Sequence, residues 1–176
     1  VPCILNRLSF TGELGYEIYT EPYFLIKLFE EIENAGKDLN LKLYGLRALM
    51  SLRLEKNWGA WGLDYRPDFT AVESGLDRFI SWQKEFIGKD FTVKEKEHGP
   101  KKKLSVIIVD TLDIDVINDE SIMHSNKCVG YVTSGGYAHH VKKSIAFGYI
   151  PCELSTKDTT LDIEINGKFY KGRVIN

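Results

Sequence analysis

The sequence predicts an α+β fold in two parts, and three observations predict it. Apolar residues recur at helical spacing in two stretches of the first third of the chain. Later the pattern changes to strand-length runs separated by turn residues. Between the two patterns lies Lys94 to Lys103, a charged segment that contains Gly99-Pro100. The parts are therefore placed at about 1–95 and 101–176.

Residues 4–10 and 15–20 read as two strands around a turn, because Gly12 and Gly15 frame Thr11-Gly12-Glu13-Leu14-Gly15. Gly15-Tyr16-Glu17-Ile18-Tyr19 then alternates between two sheet faces. A helix follows, with Thr20 as its cap and Pro22 near its first turn, where a missing N–H is harmless. Phe24, Leu25, Leu28, Phe29 and Ile32 form its apolar stripe, and Gly36 ends it. Residues 41–43 read as a short strand. Gly45 precedes a second helix over 46–56, with Leu46, Leu49, Met50 and Arg53 on one face and Leu52 and Leu54 widening it. A glycine- and tryptophan-rich loop, Asn57 to Gly62, follows. A turn at 72–76, a short element at 79–82 and a short helix at 90–95 complete this part.

In the second part 104–109, 129–133, 144–150, 160–165 and 169–175 read as strands. Asn166-Gly167 joins the last two, since both central positions of a type I′ turn need positive φ. Short strands with turn signals between them point to a small antiparallel barrel.

Composition removes several functions. With 43% hydrophobic and 27% charged residues the chain buries a core rather than staying disordered. A formal charge of -2 gives no field for nucleic acid or an anionic membrane, and the run Lys101–Lys103 reads as a solvated linker. No stretch approaches the ~20 apolar residues of a spanning helix. Cys3, Cys128 and Cys152 are odd in number and far apart, so they read as buried free thiols of a reducing compartment. The start, Val1-Pro2-Cys3-Ile4-Leu5 without a methionine, reads as a strand already inside a fold, and hence as a piece of a longer protein.

The chain contains neither a GxGxxG fingerprint nor a Walker A loop, an HExxH or a GxSxG elbow. His139-His140 alternates faces on a strand, so both rings cannot easily hold one metal, and no metal site is expected. What remains is a cluster. Phe10, Tyr16, Tyr19, Trp58 and Trp61 supply flat faces, and Glu13 and Glu17 supply carboxylates. Aromatics in strands ordinarily pack in a core. Together with a carboxylate, however, they also suit a flat heteroaromatic ligand whose amidine-like edge donates two parallel hydrogen bonds.

Ser9-Phe10-Thr11-Gly12-Glu13-Leu14-Gly15-Tyr16-Glu17-Ile18 resembles the strand-turn-strand motif of the glycine-cleavage T-protein (aminomethyltransferase) family, with Arg7 where that family has an arginine. Gly45-Leu46-Arg47-Ala48-Leu49-Met50-Ser51-Leu52-Arg53-Leu54-Glu55 resembles its helix motif. Asp64-Tyr65-Arg66-Pro67-Asp68, Glu73-Ser74-Gly75-Leu76 and Phe86-Ile87-Gly88-Lys89 continue in the family's order. Gly130 to Gly136 and Lys143 to Ile150 resemble its C-terminal barrel, so the likeness runs nearly end to end. Within the family it is greatest to the C-terminal folate domains of dimethylglycine and sarcosine dehydrogenases, which share the Arg-Pro-Asp loop and an arginine as at Arg47.

The resemblance implies the second half of a ferredoxin-like folate-binding domain followed by a small antiparallel β-barrel. It implies tetrahydrofolate as cofactor and one-carbon transfer from a methylated amine. The dehydrogenase relatives make the iminium on an upstream flavin domain, so any FAD lies outside these residues. Carried over by position, Glu17 corresponds to the glutamate that binds the pterin edge. Phe10, flanked by Tyr16, stands where the family often has a pocket tyrosine. The T-protein has an Arg-Asp pair where this chain has Leu49-Met50, so Arg47 or Arg66 is expected to meet the folate tail instead. Glu73 matches a family glutamate without a derivable role, and Arg53 and Glu55 read as a helix-surface or fold-closing pair. The family's catalytic aspartate lies well upstream of Phe10, and none of the nine residues before Phe10 is aspartate, so no catalytic residue is assigned. The resemblance and the free thiols imply a cytoplasmic setting, or a mitochondrial matrix in a eukaryote. Two other readings use the same scaffold: a methyltransferase like the dimethylsulfoniopropionate demethylases, and a non-catalytic folate-binding or structural module.

Overall fold

A computed structural model describes residues 1–175. Strands β1 (Ile4–Asn6) and β2 (Glu17–Tyr19) pair antiparallel, with Asn6 opposite Glu17 and Ile4 opposite Tyr19. The turn between them folds back tightly: a Cβ on Gly15 would stand 2.6 Å from the Leu8 carbonyl oxygen. Only glycine fits there.

Helix α1 spans Leu25–Gly36 after a 3-10 turn at Pro22–Phe24. Thr20 does not cap it. The Thr20 hydroxyl donates to the Pro2 carbonyl instead (2.6 Å) and ties the two strands together. Gly36 does not end the helix in a left-handed conformation either, because its φ is -87°. The chain runs on through a 3-10 turn at Lys37–Leu39, and Asn40 supplies the left-handed residue (φ 57°). Gly36 is glycine for another reason: a Cβ there would stand 2.6 Å from the Leu41 side chain. Residues 41–45 form no strand. Apart from Gly36, α1 buries nothing; Leu25, Phe29 and Ile32 along its apolar stripe stay open, and so do Leu39, Leu43 and Tyr44 beyond it.

Helix α2 spans Leu46–Glu55. It packs on the barrel, where Leu54 joins Val106, Ala138, Ile145 and Phe147 in one buried cluster. Helix α3 (Lys89–His98) is longer than its sequence signal and runs up to Gly99-Pro100. Glu73 now has a role. Its carboxylate accepts the Thr70 N–H (3.0 Å), its own N–H donates to the Thr70 hydroxyl (3.0 Å), and its carbonyl accepts Leu104 N–H (2.8 Å). That closed turn moors the first part to the first barrel strand.

The second part is a closed antiparallel barrel of β3 (Lys102–Val109), β4 (Ser121–His124), β5 (Lys127–Ala138), β6 (Lys143–Pro151), β7 (Thr160–Ile165) and β8 (Lys168–Val174), in the order β3-β6-β5-β4-β7-β8. The sequence pattern yields five of these strands and misses β4. Its four residues turn into β5 through Ser125-Asn126, both left-handed (φ 50° and 61°), a hairpin written without glycine. The Asn166-Gly167 hairpin forms as expected. Ile107, Val109, Ile122, Val132, Ile150, Leu161, Ile163, Ile165 and Val174 fill the interior. In β7 burial alternates, whereas β6 is buried along its whole middle because α2 and its following loop cover the outer face that the barrel does not.

The three cysteines carry free thiols, but Cys3 and Cys128 are exposed rather than buried and Cys152 is half-buried. Lys102 and Lys103 belong to β3 rather than to a linker. Among the described residues no helix is long and apolar enough to cross a membrane, and no group of side chains could hold a metal ion.

Candidate functional site

A cavity of about 550 Å³ opens beside β2 and is lined by Leu8, Ser9, Phe10, Glu17, Lys56, Asn57, Trp58 and Arg78. That volume lies within the ~300–1,000 Å³ of ordinary small-molecule sites. Three pieces of chain build it. The β1–β2 turn brings Phe10 to the cavity, and β2 brings Glu17. The loop after α2 brings Lys56, Asn57 and Trp58. Arg78 comes from the 3-10 turn Asp77–Phe79.

Each wall is held from behind. Lys56 donates to the Ser9 carbonyl and fastens the turn to the end of α2. Trp58 is anchored by its N–H on the Arg53 carbonyl (3.0 Å) and by its carbonyl on the Arg53 guanidinium (3.2 Å). Its ring meets Tyr65 and Phe79 edge-on, each at 6.0 Å. Arg78 stacks over Phe79 at 4.8 Å and over Trp58 at 5.7 Å. The Tyr19 hydroxyl donates to the Glu17 carboxylate, two residues away on the same strand face. That hydrogen bond, and then the negative charge of Glu17, push the Tyr19 phenol above its ordinary range.

A second cavity, of about 870 Å³, runs along α2 against β5. Arg47, Leu46 and Met50 line its helix side, and Tyr137, His139 and His140 its barrel side. The two cavities share α2, the first at its C-terminal end and the second along its flank. The His139-His140 pair sits in the β5–β6 turn, where the His140 N–H donates to Glu55 (2.7 Å).

Of the residues singled out in the sequence, Glu17 and Phe10 come together in the first cavity. Tyr16 is exposed and Arg47 lines the second cavity. Arg66 is drawn elsewhere: it pairs with Asp68 (3.2 Å), donates to the Tyr131 hydroxyl and stacks on Phe69 and Tyr131. Arg78 carries no signal of its own in the sequence, because its place depends on the turn that folds it back onto Trp58. Arg53 is not on the helix surface. Its side chain is 1% exposed and closes the fold on Asp64 at 2.7 Å, while Glu55 turns to the barrel.

Residues 1–84 match the family described as GCVT N-terminal domain, and residues 102–176 match the glycine cleavage T-protein C-terminal barrel domain. The chain belongs to the glycine cleavage T-protein family. Human mitochondrial dimethylglycine dehydrogenase is 37% identical over 99% of this chain, which covers 20% of that protein. The aminomethyltransferase of Desulfitobacterium hafniense is 33% identical over 99% of this chain, which covers 48% of it. In three dimensions the chain resembles the glycine cleavage system aminomethyltransferase T of Bartonella henselae, with a TM-score of 0.88 at 25% identity over 98% of this chain and 48% of that one. The chain thus spans between a fifth and a half of the length of these relatives. The α+β class and the closed barrel read from the sequence are those of the family fold.

Proposed function

We propose that the cavity beside β2 binds a tetrahydrofolate, and that the protein carrying this chain transfers a one-carbon unit from a methylated amine to it. The observation that carries this reading is the union of Glu17, Phe10 and Trp58 around one cavity in a chain whose relatives are named aminomethyltransferase and dimethylglycine dehydrogenase. The residues present fit the group. A bicyclic pterin is flat, and Phe10 and Trp58 offer flat apolar faces. Its pyrimidine edge carries two neighbouring N–H donors, and Glu17 offers two acceptor oxygens that Tyr19 keeps in place.

Bound tetrahydrofolate supplies N5 and N10, the nitrogens that accept the carbon. The residues of this chain bind and orient it. Glu17 takes the pterin N–H groups, Phe10 and Trp58 flank the ring, and the β1–β2 turn narrows the entrance. Arg47, on the separate cavity along the flank of α2, is the candidate to meet the anionic tail. Arg66, already engaged by Asp68 and Tyr131, holds the loop to the barrel. Tyr16 lies outside both cavities and is exposed. Holding the ring in one pose raises the effective concentration of the acceptor nitrogens at the carbon they receive. Any FAD-dependent oxidation of the donor belongs to residues other than these. The mitochondrial relatives favour a matrix setting in a eukaryote, and a bacterial protein would work in the cytoplasm.

Titration of folinic acid into the intact protein and into Glu17→Gln tests the reading. Replacing the carboxylate by an amide removes a charge-assisted hydrogen bond, and affinity should fall roughly tenfold to a hundredfold. Equal binding by both forms would remove Glu17 from the site. Absence of binding by the unmodified protein would remove folate.

A further inference from the structure

The cavity is not fully explained by a carboxylate and two aromatic rings. Lys56 and Arg78 also line it, and the two cations differ in their commitments. Lys56 gives one of its three N–H donors to the Ser9 carbonyl. Arg78 is exposed and has no ion pair or hydrogen bond with any described residue; its guanidinium stacks over the rings of Trp58 and Phe79. Those rings orient the guanidinium and leave its N–H fork without an acceptor. A guanidinium has five such donors in a fixed plane and accepts nothing.

We propose that Arg78 is a specificity-determining residue of this site, donating to the 4-oxo group of the pterin whose neighbouring N–H groups Glu17 accepts. The proposal rests on the folate reading and adds a second half to it. A 2-amino-4-oxopyrimidine edge presents donors and an acceptor side by side. A carboxylate satisfies the donors and repels the carbonyl oxygen. A guanidinium does the reverse. Glu17 and Arg78 arrive from separate elements, β2 and the Asp77–Phe79 turn, and line one cavity. Together they match that edge, whereas either alone leaves half of it unsatisfied. An edge with an amino group at position 4 would set a donor against a donor at Arg78. Charged hydrogen-bonding groups reject such a mismatch more strongly than apolar walls reject a change of size.

The test is a comparison of two ligands on two forms of the intact protein by calorimetry. The ligands are folinic acid and its 4-amino-4-deoxy counterpart, and the forms are unmodified and Arg78→Met. Methionine keeps an unbranched apolar stem against Trp58 and Phe79 while removing every donor. Arg78→Met should weaken folinic acid by roughly tenfold to a hundredfold and leave the 4-amino compound unchanged or improved. Arg78→Lys should recover part of the loss. Because Glu17 is present throughout, its own preference cancels from the comparison. Equal weakening of both ligands would make Arg78 a structural support for Trp58 and overturn the proposal. So would unchanged binding of folinic acid, and in both cases folate binding itself stands. Failure of the unmodified protein to bind folinic acid would overturn both readings at once.

Discussion

Arg53 of α2 and Asp64 of the loop behind it meet at 2.7 Å with 1% and 0% of their side chains exposed. Asp64 is shared by four donors: Arg53, the Ala60 N–H (2.8 Å), the Ser134 hydroxyl (2.8 Å) and the Thr133 hydroxyl (2.5 Å). Thr133 and Ser134 are consecutive in β5, and in a regular strand they would face opposite ways. A register shift between Val132 and Ser134 turns both toward the one carboxylate. Burial lowers the Arg53 pKa, and the charge of Asp64 opposes that shift. Removing either partner should destabilise the chain by about 3–5 kcal/mol, since the other charge stays buried alone. In urea denaturation Arg53→Met and Asp64→Asn should each move the midpoint down. The double variant should lose less than the sum.

Alkali should loosen the same region. Tyr149 is buried, its hydroxyl donates to the Asp64 carbonyl (2.9 Å) and meets Ser74 (2.7 Å), and burial pushes its pKa up to about 12. The folded value lies above the ordinary value of 10.0. Its contribution is therefore complete below pH 10 and is lost as pH rises toward 12. A shift of that size corresponds to roughly 3 kcal/mol. Melting temperature should fall over that window, and Tyr149→Phe should flatten the fall while lowering stability at neutral pH.

Tyr19→Phe should affect binding more than folding. The Tyr19 hydroxyl is on the surface and its partner is Glu17. Without it the carboxylate gains freedom that a ligand must remove. Folinic acid should bind several-fold more weakly, by less than in Glu17→Gln, with an unchanged melting temperature. A loss as large as that of Glu17→Gln would mean that Tyr19 itself contacts the ligand.

The stripe on α1 is open to water at Leu25, Phe29 and Ile32, and Ile26 is 76% exposed beside it. Apolar area gathered on one element favours association. The 176-residue chain alone should bind a hydrophobic dye and elute large on sizing at high concentration. Phe29→Glu with Ile32→Lys should reduce both without lowering the unfolding midpoint. An unchanged dye signal would put the sticky surface elsewhere.

The elements legible in the sequence are those set by local chemistry. The apolar period of α1 and α2, the Asn166-Gly167 turn and the alternation in β7 all announce themselves within a few residues. What the sequence hides depends on distant partners. Strand β4 hides because Ser125-Asn126 makes a turn usually written with glycine. The sequence leaves Arg53 as either a helix-surface or a fold-closing residue, and only Asp64, Thr133 and Ser134 decide for the second. At the candidate site, Glu17 and Phe10 lie on one local motif and could be paired in advance. Arg78, 61 positions beyond Glu17, meets the same cavity only because Trp58 and Phe79 hold the turn in place.

The guanidinium that grips the barrel through Asp64 and Ser134 also holds the Trp58 carbonyl (3.2 Å). The aromatic wall of the cavity and the attachment of the barrel thus hang from one side chain. Linkage then runs in both directions: a ligand resting on Trp58 makes release of the barrel less frequent by the factor that barrel attachment adds to ligand affinity. The barrel, which contributes none of the residues lining the first cavity, is in this sense a thermodynamic participant in what that cavity holds.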